Sequence, residues 1–129
     1  MSLVEYFENQ SGIGVLSTAD ATGKVDAAIY ARPHFMDDHT VAFIMTDRRT
    51  HANLKTNPHA VYLFKEDGDK YIGQRLYLTR VREEENNELI ESLRRRKYHY
   101  TAEDGPEHSR YLVYFRIEEV RPLVGDLQL

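Results

Sequence analysis

Thr46, Asp47, Arg48, Arg49 and Thr50 stand together where an apolar run gives way to a polar one, in the stretch Met45 to Pro58 (MTDRRTHANLKTNP). Such a strand end feeding a short helix is suited to an anion. The first turn of a helix leaves N–H groups unpaired and carries partial positive charge, and arginine adds bidentate contacts to phosphate oxygens. Two arginines and two hydroxyls at that point suit a phosphate monoester. The alternative is that Arg48 and Arg49 merely solvate a helix start, where cations oppose the macrodipole.

Other chemistry-bearing types are scattered. The histidines at 34, 39, 51, 59, 99 and 108 show no H-x-H or H-x-x-x-H spacing, so no transition-metal site is expected. His34, just past Arg32-Pro33, is either a substrate contact or a loop histidine. Tyr98-His99-Tyr100 either flank a pocket mouth or serve as surface or interface aromatics. The run Arg94-Arg95-Arg96-Lys97 falls at a helix C-terminus, where the dipole favours cations, and reads as a solvated end. No side chain stands out as an acid–base catalyst.

The elements that must position these residues follow from apolar periodicity. Leu3, Val4 and Phe7 recur at helical spacing and predict a short opening helix that plugs one end of the fold. From Ile13 onward the chain reads strand, turn, strand, with Ala21-Thr22-Gly23 as the turn and Val25, Ala27, Ile29 and Ala31 alternating with Asp26, Ala28 and Tyr30. Thr40 to Thr46 is apolar on both faces, as in a strand buried on two sides. Asp47 is the expected cap of the next helix, which Asn57-Pro58 ends after about two turns. Strands follow at Ala60 to Lys65 and Gln74 to Arg82. Leu89, Ile90 and Leu93 then mark a helix within Glu83 to Lys97, and a last strand spans Arg110 to Val120. Six strands joined mostly by tight turns, with three short helices, predict a mainly β (α+β) antiparallel fold closed as a small barrel. A doubly wound parallel sheet would need crossover helices that the early strands lack.

Composition narrows the function. With 129 residues and no linker-like stretch, residues 1–129 read as one domain. Seventeen basic against 21 acidic residues leave a net charge of −4, which disfavours broad nucleic-acid binding. The absence of cysteine removes disulfide and thiolate chemistry and fits a reducing compartment. Neither a signal peptide nor a run of about 18 apolar residues occurs, so a cytoplasmic protein without membrane attachment is expected. Nine tyrosines and five phenylalanines suit strands and a partner subunit.

In order along the chain, GVLSTADATGKVDAAIYARP, TDRRTHANLKTNPHAVYLF and QRLYLTRVRE resemble the flavin mononucleotide (FMN)-binding split-barrel family that includes pyridoxamine 5′-phosphate oxidase. The resemblance spans roughly Gly12 to Glu83. It implies a six-stranded antiparallel split barrel with peripheral helices, a homodimer and FMN at the subunit interface. Arg49, Thr50, Asn53, Leu54, Asn57 and Pro58 fall on the family's phosphate-binding pattern, with Arg48 as a second phosphate ligand. The resemblance further implies that the backbone of Ala28, Ile29 and Tyr30, with Arg32, lies along the isoalloxazine edge. It sets Met45 and Thr46 beside the ribityl phosphate and Gln74 as a contribution from the neighbouring subunit. The chain ends in RPLVGDLQL, without the oxidases' substrate-binding arginine and histidine segment. A small flavoprotein is therefore expected rather than pyridoxamine phosphate oxidation itself. Hydride or electron transfer from a reduced nicotinamide or other donor to a small acceptor is the implied activity. The alternatives are a flavin or haem carrier on the same fold and a cofactor-free interaction domain.

Overall fold

The computed structural model describes residues 2–97 and 110–125. Its elements are α1 (Leu3–Asn9), β1 (Gly12–Ala19), β2 (Val25–Ile29), β3 (His34–Phe35), β4 (Thr40–Thr46), α2 (Arg49–Thr56), β5 (His59–Glu66), β6 (Gly73–Glu84), α3 (Asn87–Lys97) and β7 (Arg110–Pro122). All seven strands join one antiparallel sheet in the order β2-β1-β5-β6-β7-β4-β3. The strand count exceeds the expected six because His34–Phe35 pairs with Val41 and Ala42 of β4. Two residues are too few to leave a periodic signal in sequence.

The sheet coils into a split barrel. Phe43 of β4 and Tyr62 of β5, three strands apart in the sheet order, have ring centroids 5.0 Å apart. Tyr30, just past β2 at one sheet edge, meets Phe43 near the other edge at 6.0 Å, edge to face. Leu16, Val41, Phe43, Met45, Tyr62, Phe64, Leu76, Leu78, Val113 and Phe115 fill the interior. β6 and β7 are the longest strands, and register shifts at Tyr77/Leu78 and Arg80/Arg82 bend them around the core.

Both faces of β4 are covered, as its composition predicts. Val41, Phe43 and Met45 enter the barrel, while Ala42 packs with Ile90 and Leu93 of α3 and with Leu112 and Tyr114 of β7, and Ile44 joins that second cluster. The opening helix plugs the barrel. Ser2 caps α1 by accepting from the Glu5 N–H at 3.1 Å, and Phe7 inserts among Phe35, Tyr62 and Phe64. In the cationic run that ends α3, Arg94 differs from its reading as part of a solvated end. Arg94 is buried and sits 3.7 Å from Glu91, whose Oε1 also receives Arg110 at 2.7 Å. The Tyr98-His99-Tyr100 triplet lies outside the described residues.

Candidate functional site

The polar centre is the start of α2. Arg48 occupies the N-cap position in extended conformation, and no side chain caps the helix. Asp47, expected as the cap, stands one residue too early: the Arg48 N–H bonds the Thr46 carbonyl at 2.9 Å, and the helix begins only at Arg49. The first-turn N–H groups therefore lack a capping side chain, and Arg48, Arg49 and Thr50 are the residues beside them.

The buried face of α2 holds this turn against the barrel. Thr50, His51, Asn53 and Leu54 are all buried. Leu54 enters the core, and Asn53 Nδ2 donates to Thr18 Oγ1 of β1 at 3.0 Å. Asn57 ends the helix and spans to the β1–β2 turn, where its Nδ2 donates to the Asp20 carbonyl at 3.4 Å. Thr46 closes β4 opposite Arg110.

Tyr30 is brought to the same place from the other sheet edge. Its N–H donates to the Gly14 carbonyl at 3.0 Å, and its own carbonyl accepts from Tyr62 Oη at 3.1 Å. Gly14 makes this crossing possible, since any Cβ there would overlap the Tyr62 phenol. The Tyr30 phenol is held above its ordinary pKa, chiefly by burial. A hydrogen bond from Thr50 and the charge of Arg48 oppose that rise, and Asp26 adds to it. Tyr30, Thr50 and Arg48 thus converge, but through the tyrosine side chain as well as its backbone.

The other expected residues lie in distinct settings. Ala28 and Ile29 belong to β2, which ends the sheet, so its far edge pairs with no strand among the described residues. Because Tyr30 donates inward to β1, the two-residue period turns the Ile29 N–H toward that open edge and the Ala28 N–H toward β1. Arg32 Nη1 donates to the Phe7 and Gln10 carbonyls at 3.0 and 2.6 Å, tying α1's C-terminal end to the chain after β2. The Met45 side chain is core. Gln74 pairs with Phe64, five residues along β6 from Thr79, which pairs with His59 just after α2. That separation is about 17 Å of strand, so within one chain Gln74 stands at the opposite end of the sheet. His34 is buried and lines a cavity of ≈ 40 Å³ with Tyr30, Arg32 and Phe43.

Sequence reasoning missed a cluster under α2. The His51 ring, 1% exposed, stacks on Tyr111 with centroids 4.1 Å apart and planes 10° from parallel. Its Nε2 lies 3.0 and 3.1 Å from the two Glu83 oxygens, and Arg80 Nη2 donates to Glu83 at 2.9 Å. The available signal was helical spacing, which puts residue 51 on the face of Leu54. A broad open groove of ≈ 710 Å³ lies on the outer sheet face beside Ser17, Val61 and Tyr77; Asn57, at the C-terminal end of α2, reaches its lining, while Arg48, Arg49 and Thr50 at the helix start do not. Among the described residues, no three His, Asp or Glu side chains are placed to hold a metal ion.

The sequence profile described as pyridoxamine 5′-phosphate oxidase matches residues 3–124. The chain belongs to this family. Solved structures share the family fold at low identity. An FMN-binding protein from Syntrophomonas wolfei superposes with a TM-score of 0.74 at 21% identity, covering 95% of this chain and 83% of that one. An F420 reductase gives 0.73 at 16% identity, covering 90% and 94%. General Stress Protein 26 from Bacillus anthracis gives 0.63 at 17%, covering 98% and 95%. No curated protein sequence matches the chain. The family's phosphate-bearing cofactor agrees chemically with what α2 presents: an uncapped helix start, two arginines and a threonine hydroxyl, all donors or cations. No helix among the described residues is long and apolar enough to cross a membrane.

Proposed function

We propose that this member of the pyridoxamine 5′-phosphate oxidase family binds FMN with its phosphate on the first turn of α2, and that it is a cytoplasmic oxidoreductase. The observation that carries the reading is the helix start without a capping side chain, flanked by Arg48, Arg49 and a buried Thr50 near the Tyr30 phenol. In this reading Arg49 and Thr50 anchor the phosphate, Arg48 assists, Thr46 lies beside it and Asn53 fixes α2 on Thr18. The open edge at Ile29 offers a backbone N–H to the flavin ring, with Ala28 and Tyr30 shaping that edge. Met45 backs the site from the core. Bound FMN would supply hydride or electron transfer through its isoalloxazine ring, and the chain would supply anchorage and hydrogen bonds at the ring edge.

The site is completed by a second copy. The outer face of β2 and β1 exposes Val25 (78%), Ile29 (68%) and Ile13 (56%), with Ala27 and Val15 between them. A contiguous apolar sheet face of this kind marks an interface. In this reading a twofold dimer brings Gln74 of one copy toward the flavin site of the other.

The visible spectrum of the purified protein, before and after adding FMN, tests the cofactor. Flavin absorbance that stays with the protein through gel filtration, and bleaches with a reduced nicotinamide, supports an FMN oxidoreductase. Retained flavin that no donor reduces points to a carrier, a Soret band points to haem, and a protein that holds neither refutes the reading.

A further inference from the structure

His51 is the third residue of α2, directly after Thr50, yet nothing in the proposed phosphate anchor uses it. Both of its ring nitrogens face carboxylates. Nε2 sits 3.0 Å from Glu83, and Nδ1 sits 3.6 Å from Asp47 Oδ1, within ion-pair range but too far for a hydrogen bond. His51 Nδ1 is accordingly one of two buried side-chain polar atoms without a hydrogen-bond partner among the described residues. A neutral imidazole has a single N–H and can satisfy one carboxylate; the cation can satisfy two.

We propose that protonated His51 is a working part of the anion site, closing onto Asp47 and adding positive charge beneath the first turn of α2, so that a phosphate monoester binds more tightly when the ring is charged. This rests on the reading of α2 as the FMN phosphate anchor.

The groups that face the ring are Asp47 from the β4–α2 connection, Glu83 and Arg80 from β6, and the Tyr111 phenol from β7. Burial pushes the Glu83 carboxyl up, but hydrogen bonds from Arg80 and His51 outweigh it and hold the group below its ordinary value. An ionised Glu83 accepts, so the single proton of a neutral ring sits on Nε2. The Nδ1 lone pair then faces the Asp47 carboxylate, a repulsive pairing in a buried position. With the ring neutral, Asp47, Glu83 and Arg80 leave one net negative charge beside the helix start. Protonation cancels it and turns Nδ1 into a donor. Asp47 is 64% exposed and can swing in to receive that proton without disturbing the core. The carboxylate that would otherwise repel an incoming anion next to Arg48 is thereby neutralised, and the helix start gains a buried cation within one turn. Stacking on Tyr111 and pairing with Glu83 keep the ring from turning away.

The test measures FMN and riboflavin affinities by flavin fluorescence, for wild type, His51→Gln and Asp47→Asn, between about pH 6 and 8. The phosphate of FMN itself titrates near pH 6, so the readout is the ratio of the variant's Kd to the wild type's at each pH, in which ligand protonation cancels. For His51→Gln the FMN ratio is expected to fall from about tenfold at the acid end to about one at the alkaline end, while the riboflavin ratio stays flat. Asp47→Asn is expected to tighten FMN binding at the alkaline end and to flatten the profile. Nitrogen NMR of the imidazoles, with the His51 signals assigned by their loss in His51→Gln or by Asp47→Asn perturbation, reads the same linkage directly. Saturating FMN should enlarge the protonated fraction of His51 at fixed pH, because coupling between proton and ligand is reciprocal. If FMN binds but the ratio is flat and the protonated fraction does not change, the proposal is overturned. If the wild type shows no preference for FMN over riboflavin at any pH, the phosphate anchor itself is wrong. Should His51→Gln fail to fold, Asp47→Asn and the NMR measurement decide the question alone.

Discussion

Gly14 is the position where the smallest substitution should have the largest effect. An alanine Cβ there would overlap the Tyr62 hydroxyl and lie 2.7 Å even from the ring's Cε1. Tyr62 cannot yield: it is fully buried, with Phe7, Phe43 and Phe64 rings 6.3, 5.0 and 6.4 Å away. Overpacking of this kind costs about 1–3 kcal/mol. Displacing the phenol also breaks its 3.1 Å bond to the Tyr30 carbonyl, worth about 1 kcal/mol. The expected loss of about 2–4 kcal/mol is a large share of the ~5–15 kcal/mol that holds a domain folded. At roughly 4 °C per kcal/mol for a chain of this size, the midpoint should drop by about 8–16 °C. Thermal melts followed by circular dichroism would measure it for Gly14→Ala, Tyr62→Phe and the double variant. The double variant should lose less than the sum of the two singles, because the hydroxyl that collides with the new methyl is the one that Tyr62→Phe removes. A Gly14→Ala melt within about 2 °C of wild type would refute the reasoning.

Two further outcomes follow from the same geometry. The Glu83 carboxyl is held below its ordinary value near 4.5 in the folded protein, so its stabilisation is complete above that ordinary value and is lost as pH falls through the lower folded-state value. Glu83→Gln should lower stability at neutral pH and flatten its acid dependence, and parallel acid profiles for the two proteins would contradict this. Ile29→Lys places a charge in the exposed apolar face of β2 and should convert a dimer to monomer in light scattering, whereas an intact dimer would place the interface elsewhere.

Much of the fold could be read from the chain because single elements carried unambiguous patterns. β4 is apolar at nearly every position, and it is the strand with the barrel core on one side and α3 on the other. Asn57-Pro58 ends α2 where a pre-proline residue must leave helical geometry. The misses have specific physical causes. Asp47 is a good capping residue, but the Arg48 to Thr46 hydrogen bond moves the helix start beyond it. Arg94 looks solvated among its cationic neighbours, yet it is buried and pairs with Glu91 one turn earlier on α3, a carboxylate that Arg110 of β7 also reaches across the fold. The sequence pointed to the backbone of Tyr30, while the contact of its phenol with Thr50 depends on the sheet coiling far enough to bring its edges together. His51 carried no metal spacing, and its pairing with Glu83, 32 residues later, is invisible without the fold.

The central claim is that the start of α2 recognises a phosphate, and comparing FMN with riboflavin isolates it because the two ligands differ only in that group. Charge-assisted hydrogen bonds contribute about 1.5–3 kcal/mol each, so the wild type is predicted to prefer FMN by roughly a hundredfold or more. Arg49→Ala/Thr50→Ala should abolish most of that preference while leaving riboflavin affinity within about threefold of wild type. Equal wild-type affinity for the two ligands, or a double variant that keeps the full preference, would contradict the account.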